Sequence, residues 1–161
     1  MYKDNARNEY CIVSYTNIFS CVHWDRSGMS GTKKILHIED NFENRILVRR
    51  LLQAADYEVI EAENAFQAIT QLRSSRPDLI LMDINMPDVD GYTLTAKLKT
   101  VPGIKQIPII AITANAMRGD REKSLSAGCD GYIEKPINID TFIDQIHFYL
   151  DKRTKGNPLS N

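Results

Sequence analysis

Few residue types stand out by abundance in this chain. Its 161 residues include only three cysteines, Cys11, Cys21 and Cys129, with no C-x-x-C spacing. That odd, scattered set argues against a disulfide framework and a zinc site, and fits a reducing compartment. Excess charge of one sign is also lacking: 20 Lys and Arg face 21 Asp and Glu, for a formal net charge of -1. Such balance gives no default reason to bind nucleic acid or an anionic membrane. No apolar run reaches the roughly 20 residues needed to cross a bilayer. The remainder is ordinary globular composition, 43% hydrophobic and 25% charged, enough for one domain with a proper core and not for two.

Residues 1–31 do not share the pattern that follows. Tyr10 to Val22 is mildly apolar but broken by Ser, Thr and Asn. A secretory signal needs a basic start, a continuous apolar stretch and a small-residue cleavage site, and none is present. We read 1–31 as a leader, disordered or outside the domain, with Met29 an alternative start and a docked extra strand or helix a lesser alternative. Residues 32–151 are read as the domain and 152–161 as a polar tail.

From Lys33 short apolar runs alternate with helical stripes. Ile35 to Ile38 reads as a strand; Val48, Leu51, Leu52 and Ala55 then make one helix face. Tyr57 to Ala62 is the next strand, and Asn64 with Gln67 caps a helix carrying Ala65, Ala68, Ile69 and Leu72. Pro77 stops that helix before the third strand, Leu79 to Met82. A short helix from Gly91 to Lys99, a strand from Ile107 to Thr113 and a helix from Arg118 to Ala127 follow. That fourth helix has little apolar content beyond Leu125 and Ala127, so it should be weakly held. Gly131 to Glu134 is the fifth strand, and Asn138 caps a last helix whose face is Ile139, Phe142, Ile143, Ile146 and Leu150. Five strands alternating with five helices predict an α/β, flavodoxin-like (βα)5 doubly wound parallel sheet, strand order 2-1-3-4-5.

In such a sheet the strand ends meet at one edge. The first strand ends in Glu39-Asp40, the third in Asp83, the fourth in Thr113, and the fifth runs into Lys135-Pro136. Three carboxylates packed together repel unless a cation joins them, and oxygen-only ligands suit Mg²⁺. Asp83 is then an in-line oxygen nucleophile for phosphoryl transfer. Mg²⁺ on Asp40, Asp83 and a backbone carbonyl of the turn neutralises one phosphoryl oxygen. Lys135 pairs with a second, and the Thr113 hydroxyl bonds a third.

Glu39-Asp40, the stretch DINMPDVDG from Asp83 to Gly91, Thr113-Ala114, Tyr132 and Lys135-Pro136 together resemble the receiver domain of two-component response regulators. The likeness runs from about Lys33 to Leu150. It implies that Asp83 is phosphorylated by a histidine kinase or a histidine phosphotransfer protein. It implies that Glu39 and Asp40 serve Mg²⁺, that Asn85 gives its backbone carbonyl to the metal, and that Lys135 and Thr113 sense the phosphoryl group. Thr113 and Tyr132 would form the switch, remodelling the face of the fourth helix, fifth strand and fifth helix for a downstream effector or a weak dimer. Asn85 and Asn115 would influence self-dephosphorylation, and Lys135-Pro136 would be cis. The family often has two aspartates where this chain has Glu39 then Asp40, which leaves open whether Glu39 reaches the metal directly or through water.

Blander readings apply elsewhere. His37 lies inside a strand and reads as a satisfied core residue. His23 and His147 lack the surroundings of a phosphohistidine, so the chain is not read as the kinase. Cys129 reads as a passive small residue, and Arg49, Arg50, Lys97 and Lys99 as solvated helix faces. No output module fits after Leu150, so a cytoplasmic stand-alone receiver is expected, with no direct nucleic acid or membrane partner; a fragment of a longer hybrid kinase or regulator is the alternative. Two other classes stay open: a phosphorylation-independent interaction module, and an aspartyl-nucleophile phosphatase, which usually has a second Asp where this chain has Asn85.

Overall fold

The computed structural model describes the backbone of residues 10–13, 19–22, 31–114 and 118–154, and the side chains of 31–114 and 122–152. Two short strands, β1 (Tyr10–Val13) and β2 (Phe19–Val22), pair antiparallel in a small sheet of their own. They fall within the stretch read as a leader and are not hydrogen-bonded to the main sheet. The repeating part follows as β3 (Lys34–Ile38), α1 (Phe42–Ala54), β4 (Glu58–Ala62), α2 (Ala65–Ser74), β5 (Leu79–Asp83) and α3 (Gly91–Thr100). It ends with β6 (Ile109–Thr113), α4 (Arg118–Ser126), β7 (Gly131–Glu134) and α5 (Ile139–Thr154). The five strands are parallel in the order β4-β3-β5-β6-β7, which is 2-1-3-4-5 counted within the sheet, as expected.

Local chemistry sets the element ends. Asn41 caps α1 by accepting from the Asn44 amide at 3.0 Å, and Asn64 caps α2 by accepting from Gln67 at 2.9 Å. Asp90 caps α3 through the amides of Tyr92 and Thr93. Each cap satisfies amides that the first helical turn leaves without partners.

The central strands β5 and β6 are buried at every position, as a sheet covered on both faces requires. On one face Leu36, Ile38, Ile80, Met82 and Ala111 pack with Ala65, Ala68 and Leu72 of α2 and Leu94 and Leu98 of α3. On the other, Ile35, Leu79, Leu81, Ile110 and Ile112 pack with Val48 and Leu52 of α1 and Phe142 and Ile146 of α5. Each fully buried Leu or Ile contributes roughly 1.5–3 kcal/mol. These two layers therefore hold the fold, leaving the strand ends free to carry charge.

Three side chains depart from the sequence expectation. Ile139 opens α5 but is exposed, so the buried face starts at Phe142. Among the described side chains of α4 the buried one is Ser124, at 1% exposure, while Leu125 faces out at 54%. Ser124 Oγ lies 3.4 Å from the Tyr92 hydroxyl, so α4 is tied to α3 by a polar contact. Lys99 is not a solvated residue: its ammonium donates to Asp130 Oδ2 at 2.6 Å and to the Ile107 carbonyl at 2.9 Å.

Candidate functional site

The carboxyl edge of the sheet brings Glu39, Asp40, Asp83, Thr113 and Lys135 together from four separate stretches of chain. Asp83 ends β5 and Thr113 ends β6, in strands paired side by side. Glu39 and Asp40 follow β3 directly, and Lys135 follows β7. The Lys135 amide donates to the Thr113 carbonyl at 2.8 Å, which fixes the β6 and β7 ends together. The Lys135–Pro136 peptide is cis, as the resemblance implied.

The carboxylates of Glu39, Asp40 and Asp83 have oxygens within 4.8 Å of one another. Glu39 and Asp83 are buried, at 1% and 2% exposure, while Asp40 is open to solvent. Lys135 Nζ bridges the buried pair, 2.8 Å from Glu39 Oε2 and 3.0 Å from Asp83 Oδ1. Burial pulls the Lys135 ammonium down. The hydrogen bonds and charges of Glu39 and Asp83 outweigh that pull and hold it above the ordinary lysine value. Glu39 is held further by the Asn44 side-chain amide at 3.1 Å and the Asn41 backbone amide at 3.3 Å, both on Oε1. Asp83 Oδ1 also faces the Asn85 amide at 3.4 Å, and Asn85 is exposed in the loop after β5.

Gly91 closes that loop. A Cβ there would overlap the Asp83 carbonyl oxygen and lie 2.8 Å from the Ile84 Cα. Only glycine permits this approach, and the Gly91 amide uses it to donate to the Ile84 carbonyl at 3.1 Å.

One contributor escaped the sequence reading. Arg45 of α1 is buried, and its Nη1 donates to the carbonyls of Glu39 at 2.9 Å and Asp40 at 2.8 Å. Its Nη2 reaches Glu63 Oε1 at 2.8 Å. It clamps the corner that presents the acidic pair. A lone arginine on a helix reads as surface, so the only signal was its position four residues after the Asn41 cap.

His37 is core, as expected, but not satisfied. It is fully buried on β3, and neither ring nitrogen has a hydrogen-bond partner among the described residues. Burial, with the charges of Lys135 and Arg45, pulls its pKa down to about 3. Tyr132 is half-buried on β7 and packs against the core face of α2 and α3. Asn115 lies outside the described residues.

Comparison with known proteins decides the family. The family model described as the response regulator receiver domain matches residues 35–147. The chain belongs to the response regulator receiver family. The receiver is 45% identical over 118 residues to the polar-differentiation response regulator DivK of Brucella anthropi, covering 73% of this chain and 96% of that relative. It also resembles the receiver domain of a sensor histidine kinase from Pseudomonas aeruginosa PAO1, solved with magnesium in the active site cleft. Identity there is 33% with a TM-score of 0.69, covering 75% of this chain and 99% of that chain. A CheY-like receiver domain protein from Methanospirillum hungatei JF-1 superposes with a TM-score of 0.71 at 29% identity, covering 78% of this chain and 98% of that chain. Two-component signalling is thus the setting of this protein, and the acidic cluster offers the hard oxygen ligands that a divalent cation takes.

Proposed function

We propose that Asp83 is the phosphoacceptor, receiving a phosphoryl group from a histidine kinase or a histidine phosphotransfer protein. The observation that carries this reading is the Asp83 carboxylate itself. It is nearly buried at a strand end, bridged by Lys135, and shares a small volume with Glu39 and Asp40. A purely structural aspartate has no use for two further carboxylates beside it.

Asp40, Asp83 and the Asn85 backbone carbonyl would hold Mg²⁺, with Glu39 beside them. The donor set fits: hard oxygens, one side open through the exposed Asp40. When bound, Mg²⁺ supplies positive charge for a phosphoryl oxygen. As a carboxylate, Asp83 attacks phosphorus without a general base. The new P–O bond forms as the P–N bond to the donor histidine breaks, and the electron pair leaves with the imidazole. Lys135 passes from its Asp83 contact to a phosphoryl oxygen, and the Thr113 hydroxyl bonds another. Movement of Thr113 opens room for Tyr132 to turn inward, which changes the α4, β7 and α5 face offered to an effector or to a second copy.

On this reading the protein acts in the cytoplasm by partner contact or by passing the phosphoryl group on. Its only catalysis is its own phosphorylation and slow dephosphorylation. Incubation with a small-molecule phosphodonor and Mg²⁺, followed by intact mass, tests the chemistry. Wild type should gain one phosphoryl group; Asp83→Asn and a metal-free control should not. A gain retained in Asp83→Asn would reject the assignment.

A further inference from the structure

The two acids that open the site are held in different ways. Both carboxylate oxygens of Glu39 have partners: Lys135 on Oε2, and the Asn44 side chain with the Asn41 amide on Oε1. Asp40 is exposed, and its carboxylate takes no hydrogen bond or ion pair from another described residue. Its direction is therefore set by its backbone. Arg45 holds that backbone, its Nη1 donating to the carbonyls of Glu39 and Asp40 at 2.9 and 2.8 Å. Those carbonyls belong to the two peptide planes on either side of the Asp40 Cα. Each plane is rigid, so drawing both oxygens onto one nitrogen fixes both backbone dihedrals of Asp40. The line along which its carboxylate projects is fixed with them.

We propose that Arg45 is a positioning residue for the divalent cation, aiming Asp40 at Asp83, and that Glu63 keeps the arginine aimed. With Glu39, Asp40 and Asp83 read as the metal site, this gives a role to an arginine whose hydrogen bonds go to none of those carboxylates. Its charge alone works against the site, because a positive group nearby repels a second cation. Its benefit is geometric. Nη2 meets Glu63 Oε1 at 2.8 Å, and the Glu63 amide donates to Gln67 Oε1 at 2.9 Å, so the cap of α2 places the anchor. The Glu39 amide donates to the Ala62 carbonyl at 3.0 Å, which ties the same corner to the end of β4. The Phe42 ring covers the guanidinium, 5.7 Å from its carbon. A planar fork of five donors serves two carbonyls and a carboxylate at once, a shape that a lysine ammonium cannot reproduce.

Charge and position predict opposite signs. Mg²⁺ is titrated calorimetrically into the full chain and into Arg45→Met and Arg45→Lys, each shown to be folded by urea unfolding. Both variants should bind Mg²⁺ about tenfold more weakly than wild type. Unchanged or tighter binding in Arg45→Met would overturn the proposal, as would wild-type affinity in Arg45→Lys, which keeps the charge without the fork. Glu63→Ala alters the exposed end of the pair and decides the matter if neither arginine variant folds. It should weaken binding by a factor that is the same at low and high salt; a factor that vanishes at high salt reports charge alone and rejects the positioning role. Amide exchange in the metal-free proteins gives a second readout. Residues 39–41 should exchange faster in the variants while β5 and β6 do not change, and equal exchange at 39–41 would also overturn the clamp. Wild type that binds no Mg²⁺ would instead reject the metal site, and the exchange comparison would still judge Arg45 by itself.

Discussion

Replacing His37 with leucine should stabilise this protein, and more so in acid. The imidazole is fully buried and its two nitrogens have no partner among the described residues, so folding strips it of water without replacement. An unsatisfied buried polar group costs about 1–3 kcal/mol. Leucine fills similar space, extends the Ile35, Leu79 and Leu81 layer, and removes that cost. The pH effect is separate. In the unfolded chain the imidazole titrates near the model value of 6.5, whereas the fold pulls it down to about 3. Between those values the unfolded state binds the extra proton. Stability from the neutral His37 is therefore whole above pH 6.5 and is lost as pH falls toward 3. From pH 7.5 to 5.5 this one group should cost wild type about 1.4 kcal/mol. Urea unfolding of both proteins at the two pH values, in metal-free buffer, reads both effects. His37→Leu should be more stable by about 1–3 kcal/mol at pH 7.5, with the gap widening by about 1.4 kcal/mol at pH 5.5. A gap that does not change with pH would refute the reasoning.

Removal of the bridging charge in Lys135→Met should cost about 1–3 kcal/mol without metal, less than a fully buried pair because the lysine end is partly solvated. Mg²⁺ should restore more stability to this variant than to wild type, and equal thermal shifts on adding Mg²⁺ would count against the bridge. Gly91→Ala should lose about 1–3 kcal/mol in urea unfolding, because the new methyl meets backbone that cannot yield. Wild-type stability in this variant would show that the loop relaxes freely. Tyr132→Ala should keep the phosphoryl mass gain while reducing a partner's preference for the phosphorylated form about fivefold or more. An unchanged preference by titration would remove Tyr132 from the switch.

The acidic edge was legible in the sequence because several of its residues sit at or just past the end of an apolar run. Asp83, Thr113 and Glu39 each follow several buried positions, and the period of the run places them at the sheet's edge without knowledge of any contact. Charge balance then pointed to a divalent cation, and the acidic cluster is one that could hold it. Arg45, Ser124 and Lys99 were not legible for a common reason. Their burial depends on carbonyl, hydroxyl or carboxylate partners supplied by other elements, and a polar residue on a helix carries no local mark of such a partner. Leu125 and Ile139 erred the other way, since apolar type alone does not fix which side of a helix turns inward. His37 was placed in the core by its strand, but its lack of partners is a property of the neighbours' side chains.

The hydrogen bond from the Lys135 amide to the Thr113 carbonyl has a mechanical consequence. The two groups proposed to feel the phosphoryl oxygens are riveted to each other through the main chain, so neither can respond by sliding its strand. Any response is left to a hydroxyl turning about one bond and an ammonium swinging on a four-carbon tether. Such motions are small and fast, and they leave the ladder between β6 and β7 untouched. On the proposed reading, information about the modification exits through the way neighbouring side chains refill space, toward the polar contact of Ser124 and Tyr92, while the sheet itself serves as a fixed frame.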